Sequence, residues 1–136
     1  VRLLGDRREI LQLGAPSDPL LEGVRDCRGL PLREAAAILA RAACFIGLVG
    51  FLMHLARAVD CRGVIVFGGR EAPWQSGYSA NENLTSEVDC APCGQWNRCD
   101  HDRRCLSGIS PEDVAAAVSR QLERAGQPLP VATDEA

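Results

Sequence analysis

The stretch Cys44–Gly69, CFIGLVGFLMHLARAVDCRGVIVFGG, holds the signals that set the fold class. Cys44-Phe45-Ile46 is a short apolar run ending at Gly47. Val64-Ile65-Val66-Phe67 is a second run, β-branched and aromatic, ending at Gly68-Gly69. Neither run alternates with polar residues, the pattern of strands covered by helices on both faces of a parallel sheet. Between them Phe51, Leu52, Leu55, Ala56 and Val59 recur at helical spacing, which predicts a connecting helix of roughly ten residues. Strand, glycine turn, helix and strand make a βαβ unit, with its crossover expected to be right-handed.

The turn from Gly47 to Gly50 bears on chemistry. Glycines let the backbone reverse sharply, and the helix that follows directs its unpaired N–H groups toward the sheet's carboxyl edge. Open α/β sheets bind ligands at that edge, and a helix N-terminus attracts phosphate. His54 lies about one turn into the helix, where it can donate to an anion. The plainer reading of the same residues is a pair of turn glycines and a histidine that serves the surface or the core.

The 136 residues suffice for one domain with a real core. The chain begins at Val1 without a start methionine, and no signal peptide precedes the first strand, so it reads as a fragment of a longer protein. A net charge of −3 and an isoelectric point near 5.4 argue against a nucleic-acid or anionic-membrane partner. All 15 basic residues are Arg, which removes any catalytic or phosphate-binding lysine. The longest uncharged run, Ala42–Met53, is 12 residues, short of the about 20 that a spanning helix needs. No transmembrane segment is expected.

Upstream, Glu9–Leu13 reads as a strand, Leu20–Val24 as one helical turn and Asp26–Gly29 as a short strand or turn. From Pro31 the pattern turns helical, with Leu32, Ala35, Ala36, Ile38, Leu39 and Ala42 on one face and Pro31 in the first turn. The alternation is that of an α/β fold, a Rossmann-like parallel sheet with helices on both faces, spanning residues 1–125. Downstream, residues 70–83 (REAPWQSGYSANEN) form a candidate binding loop, in which Trp74 and Tyr78 either stack on a ligand ring or pin the loop. Leu84–Val88 reads as a short edge strand, and Asn83-Leu84-Thr85 matches a glycosylation sequon, a pattern common by chance. Ser110-Pro111-Glu112-Asp113 opens the last helix with an N-cap, a proline at its first position and acids in its first turn. Residues 126–136 read as a flexible tail.

Seven cysteines are many for this length. Cys27, Cys44 and Cys61 read as small buried hydrophobes. Cys90, Cys93, Cys99 and Cys105 crowd into a cysteine-rich loop over residues 89–106. Four thiolates led by Cys-x-x-Cys can close a tetrahedral structural zinc site. One or two disulfides, or free thiols in a compact loop, fit the same spacing.

Taken in order, QLGAPSDPLLEG, DCRGLPLREAAAILARA, CFIG followed by His54, VIVFGG, SGYSANENL, CAPC with two further cysteines, and ISPEDVAAAV resemble the C-terminal half of the ADP-heptose lipopolysaccharide heptosyltransferases. The resemblance covers about residues 9–122. It implies the donor-binding half of a GT-B glycosyltransferase of lipopolysaccharide biosynthesis, bacterial and cytoplasmic. Such an enzyme moves a heptose-like sugar from a nucleotide diphosphate-sugar to a glycan or lipid-linked acceptor, with no cofactor for the transfer. The family's donor turn, approximately Asp-Ser/Thr-Gly-Pro/Leu-x-His, maps onto Val49, Gly50, Phe51, Leu52 and His54. His54 is kept, Gly50 takes the Ser/Thr place, Val49 stands for the Asp and Phe51 for the Gly. On this reading Gly47, Gly50, Phe51, Leu52, His54, Gly68 and Gly69 hold the nucleotide-sugar, and the catalytic base comes from a domain preceding this one.

Overall fold

The computed structural model describes residues 1–4 and 8–126. Apart from Gly126, the tail expected over 126–136 lies outside the described residues. The chain is a mixed α/β protein with small parallel sheets and helices. A two-stranded parallel sheet pairs β1 (Leu11–Gln12) with β2 (Arg25–Asp26). Helix α1 (Leu32–Arg41) follows, burying Ala35 and Leu39. Pro31 takes the N-cap position, one residue earlier than expected, and its carbonyl accepts the N–H groups of Glu34 and Ala35.

The expected βαβ unit forms. Strand β3 (Phe45–Leu48) leads into α2 (Phe51–Ala58) and then β4 (Gly63–Val66), with Phe45 opposite Gly63 and Leu48 opposite Val66. A short helix α3 (Pro73–Ser76) and β5 (Glu82–Leu84) follow, and β5 pairs in parallel with the other edge of β4. The sheet order is therefore β3-β4-β5. Alternation along β4 sends Ile65 toward α2, where it packs with Met53 and Phe67. Val64 points the other way, against Ala117 and Val118 of α5 (Pro111–Glu123). Helices thus cover the two faces of the central strand, and Val64 and Ile65 are fully buried. A four-residue helix α4 (Arg104–Ser107) precedes α5.

Helix α5 starts as its sequence dictates. The Ser110 hydroxyl accepts the Asp113 N–H at 3.1 Å, and the Asp113 carboxylate accepts the Ser110 N–H at 3.0 Å. The Ser110 hydroxyl also donates to the Asp113 carboxylate at 2.6 Å, and this bond, with that from the Ser110 N–H, holds the Asp113 carboxyl below the usual carboxylate range. Further along, Gln121 is 0% exposed. Its side-chain amide donates to the carbonyls of Gly63 (3.1 Å) and Ala80 (3.0 Å), tying α5 to the entries of β4 and β5.

Four expectations need correction. Strand β3 is not buried on both faces: Ile46 and Leu48, on the α5 side, are 39% and 61% exposed. The reason is that α5 packs over β4 and β5, leaving that side of the edge strand uncovered. Leu20–Val24 forms no helical turn, because the Gln12 side chain bridges the Pro19 carbonyl and the Leu21 N–H and Gly23 takes φ 77°. The last strand is Glu82–Leu84, earlier than Leu84–Val88, since pairing to Val64–Val66 fixes where it starts and stops. Of the three cysteines read as buried, only Cys61 is fully so; Cys27 and Cys44 are partly exposed.

Gln121→Ala takes a buried side-chain donor away from the carbonyls of Gly63 and Ala80 and opens a cavity. We expect a loss of about 2–4 kcal/mol, read as a lower urea midpoint at unchanged slope.

Candidate functional site

The residues expected to bind a nucleotide-sugar fall into two places. The first surrounds the start of α2. Gly50 is its N-cap, with φ 158° and ψ −167°, a conformation that glycine adopts far more readily than residues with a Cβ. No side chain caps the helix; the Met53 N–H donates back to the Gly50 carbonyl at 3.1 Å, and the N–H groups of Phe51 and Leu52 are left to solvent or to a ligand. Phe51 opens the helix 64% exposed, and Leu52 is partly buried beside it.

His54 stands one turn in, exposed, with Nδ1 2.8 Å from the Tyr78 hydroxyl and the two rings edge to face at 5.7 Å between centroids. Tyr78 packs on the Met53, Ile65 and Phe67 cluster, so the loop after β4 pins the imidazole from a fixed base. When the phenol donates to Nδ1, the proton of the neutral ring sits on Nε2, which becomes a donor for an anion. This pairing was not read from the sequence. The aromatic in the loop and the histidine in the helix were both visible, but 24 residues separate them and only the fold sets them side by side.

Gly47 and Val49 do not serve this site. Gly47 lies within β3 and not in the turn, and a Cβ there would sit 2.5 Å from Cζ of Phe45, whose ring covers it. Its role is close packing. Val49 turns into the cluster of Met53, Ile65 and Phe67.

The second place is an open cleft of about 230 Å³ at the carboxyl ends of β4 and β5. Gly68 and Gly69 line it, together with Glu71, Thr85, Ser86, Glu87 and Cys105 among others. His54, Gly50, Phe51 and Leu52 do not. Gly69 is closely packed: an added Cβ would lie 3.2 Å from Cys105 Sγ and 3.4 Å from Ala91 Cβ, so a side chain there would push these neighbours back by a few tenths of an ångström. The loop that follows holds α3, whose first turn is closed by the Gln75 side chain accepting the Ala72 N–H at 2.7 Å. Trp74 is 81% exposed.

The cysteine-rich loop packs its backbone against the glycine pair. The Cys93 N–H donates to the Gly69 carbonyl, the Gly94 N–H to that of Arg70, and the Arg70 guanidinium lies over the Trp96 ring. All seven cysteines are free thiols. Among the described residues, no group of three or more Cys, His, Asp or Glu side chains is placed to hold a metal ion. Cys93 and Cys99 are exposed, and Cys99 Sγ accepts the Arg103 N–H at 3.3 Å. Around β1 and β2, the Arg28 guanidinium holds the Asp26 carboxyl down to about 2 and also donates to the Asp18 carbonyl. Among the described residues no helix is long and apolar enough to cross a membrane.

Comparison of the chain with protein-family models, with curated proteins and with solved structures found no match.

Burial pushes the Cys44 thiol from its ordinary 9.0 up to about 12, with Cys61 nearby adding to the shift, and burial also raises the Cys61 thiol. Thiolate is the reactive form. An alkylating reagent at about pH 8 should therefore modify Cys93 and Cys99 in the native protein and reach Cys44 and Cys61 only after unfolding, as mapped by mass spectrometry. Because burial raises the folded-state value of Cys44, the stability that this thiol carries is complete below pH 9.0 and is lost as pH climbs toward about 12. Denaturant midpoints measured over that interval should fall.

Proposed function

We propose that this chain is the donor-binding half of a GT-B glycosyltransferase that holds a nucleotide diphosphate-sugar against the start of α2. The observation that carries the reading is His54, one turn inside an uncapped helix that follows a parallel strand, its Nδ1 held by Tyr78. An uncapped helix N-terminus offers N–H donors and a positive dipole end, and both suit a diphosphate. Nε2–H of His54 adds a directed donor. Transfer would be inverting and metal-independent. The acceptor hydroxyl attacks the anomeric carbon as the bond to the diphosphate breaks, and the helix N-terminus and imidazole stabilise the departing negative charge. The base that takes the acceptor proton is not on this segment. Heptose-like sugars, a glycan or lipid-linked acceptor and a cytoplasmic setting belong to the same proposal and rest on the ordered resemblance alone. A structural zinc held by Cys90, Cys93, Cys99 and Cys105 rests instead on the cysteine spacing, and it needs the exposed thiols of Cys93 and Cys99 to fold inward.

One observation favours a second reading, a binding module that kept the fold and lost the chemistry. Val49, at the place of the family's acidic residue, is an apolar group packed into the core. It offers a sugar hydroxyl nothing to bond.

Calorimetry of the chain with ADP, UDP and GDP separates the two. The donor-site reading expects binding in the micromolar range, weakened at least about tenfold, or 1.4 kcal/mol, by His54→Ala. Tyr78→Phe should weaken it by a smaller factor, because it frees the ring without removing it. Absence of binding to all three nucleotides by folded protein supports the module.

A further inference from the structure

Asn83 sits where the fold calls for an apolar residue. It is the middle residue of β5, opposite Ile65 and so on the α2-facing side of the sheet. Asn is disfavoured within strands. Its side-chain amide has one bonded end and one orphaned end. Nδ2 donates to the Tyr78 carbonyl at 3.1 Å, and Oδ1 is buried with no hydrogen-bond partner among the described residues. The amide cannot be turned round, because Oδ1 would then face the carbonyl oxygen. A buried unpaired acceptor lowers stability, so the residue is explained by what its donor end achieves.

The donor end fixes Tyr78. That carbonyl also accepts the Asn81 N–H at 3.0 Å, and the ring packs on Met53, Ile65 and Phe67. Held at its backbone and at its ring, Tyr78 keeps its hydroxyl in one place, 2.8 Å from Nδ1 of His54. Gly77 belongs to the same arrangement. An added Cβ there would lie 2.5 Å from the Pro73 carbonyl oxygen and 3.1 Å from Asn83 Nδ2, so a side chain would drive the loop off the amide. The direction of the bond to His54 follows from acidity: a phenol is the stronger acid and an imidazole nitrogen the stronger base. Tyr78 therefore donates, Nδ1 accepts, and the neutral ring carries its proton on Nε2.

We propose that Asn83 is a positioning residue for His54: through Tyr78 it locks the imidazole as an Nε2–H donor. The locking stands on the bonds of these three residues. Its use, the capture of an anion at the start of α2, rests on the donor-site reading above.

Imidazole ¹⁵N NMR of the folded chain, at a pH above the ordinary histidine range, reads the tautomer without any ligand. His101, exposed and the only other histidine, is the internal reference. The expected wild-type pattern is Nε2–H alone at His54 and a mixture of tautomers at His101. Asn83→Leu removes the donor and the orphaned acceptor together, while the Asn81 N–H still serves the Tyr78 carbonyl. It should move His54 toward the His101 mixture, raising the minor tautomer about three- to tenfold, and leave the urea midpoint level or higher. Tyr78→Phe sets the limit of that change, and Gly77→Ala should act in the same direction. Inorganic pyrophosphate, titrated in parallel, should bind Asn83→Leu about three- to fivefold more weakly than wild type. A wild-type His54 that already matches His101, or an Asn83→Leu chain with an unchanged His54 pattern, overturns the proposal. So does a urea midpoint that falls along with the change, which makes Asn83 an ordinary structural residue. If the tautomer responds but pyrophosphate fails to bind the wild type, the positioning stands and the anion site at α2 is lost.

Discussion

The architecture depends on the burial of one short strand. β4 is only four residues long, yet Val64 and Ile65 lose all contact with water, one against α5 and the other against α2. A strand buried on both faces has to be apolar at successive positions, and its backbone N–H and C=O groups have to be satisfied by neighbours on both edges. β3 and β5 supply those bonds, and both are drawn into parallel register with it. All three strands therefore end on one side of the sheet, and the placing of α2, which carries His54, and of the loops that carry Tyr78 and the glycine pair follows from that arrangement.

Close approach of backbones sets the finer geometry. The Phe45 ring lies over Gly47 on the α2 face, and Cys105 and Ala91 press on Gly69 at the sheet's rim. In both places the missing side chain lets a neighbour pack where a Cβ would stand. Gly50 works differently: nothing lies within 4 Å of where its Cβ would be, and its backbone angles are what call for glycine. Glycines that look alike in the sequence thus do separate jobs, and only Gly50 bears directly on the opening of the α2 N-terminus.

The two candidate sites divide by charge. The start of α2 offers N–H groups and an imidazole, which favour an anion. The cleft between the ends of β4 and β5 is lined by Glu71 and Glu87 and by no Arg or His. Ordering of the cysteine-rich loop here comes from backbone bonds to Gly69 and Arg70 and from Arg70 over Trp96.

The sequence alone determined the elements whose signals are local or repeat along the chain. The βαβ unit is written in two apolar runs and a helical stripe, and the start of α5 in Ser110-Pro111-Glu112-Asp113, because hydrophobic periodicity and capping are set within a few residues. The exposure of Ile46 and Leu48, the register that moved β5 to Glu82–Leu84, the burial of Gln121 and the pairing of His54 with Tyr78 were decided by the tertiary structure. Each depends on which surfaces meet across long separations in the chain, 58 residues in the case of Gln121 and Gly63. The charge of the cleft has the same origin: Glu71 and Thr85–Glu87 belong to different loops, and only parallel pairing of β4 with β5 brings them to one rim.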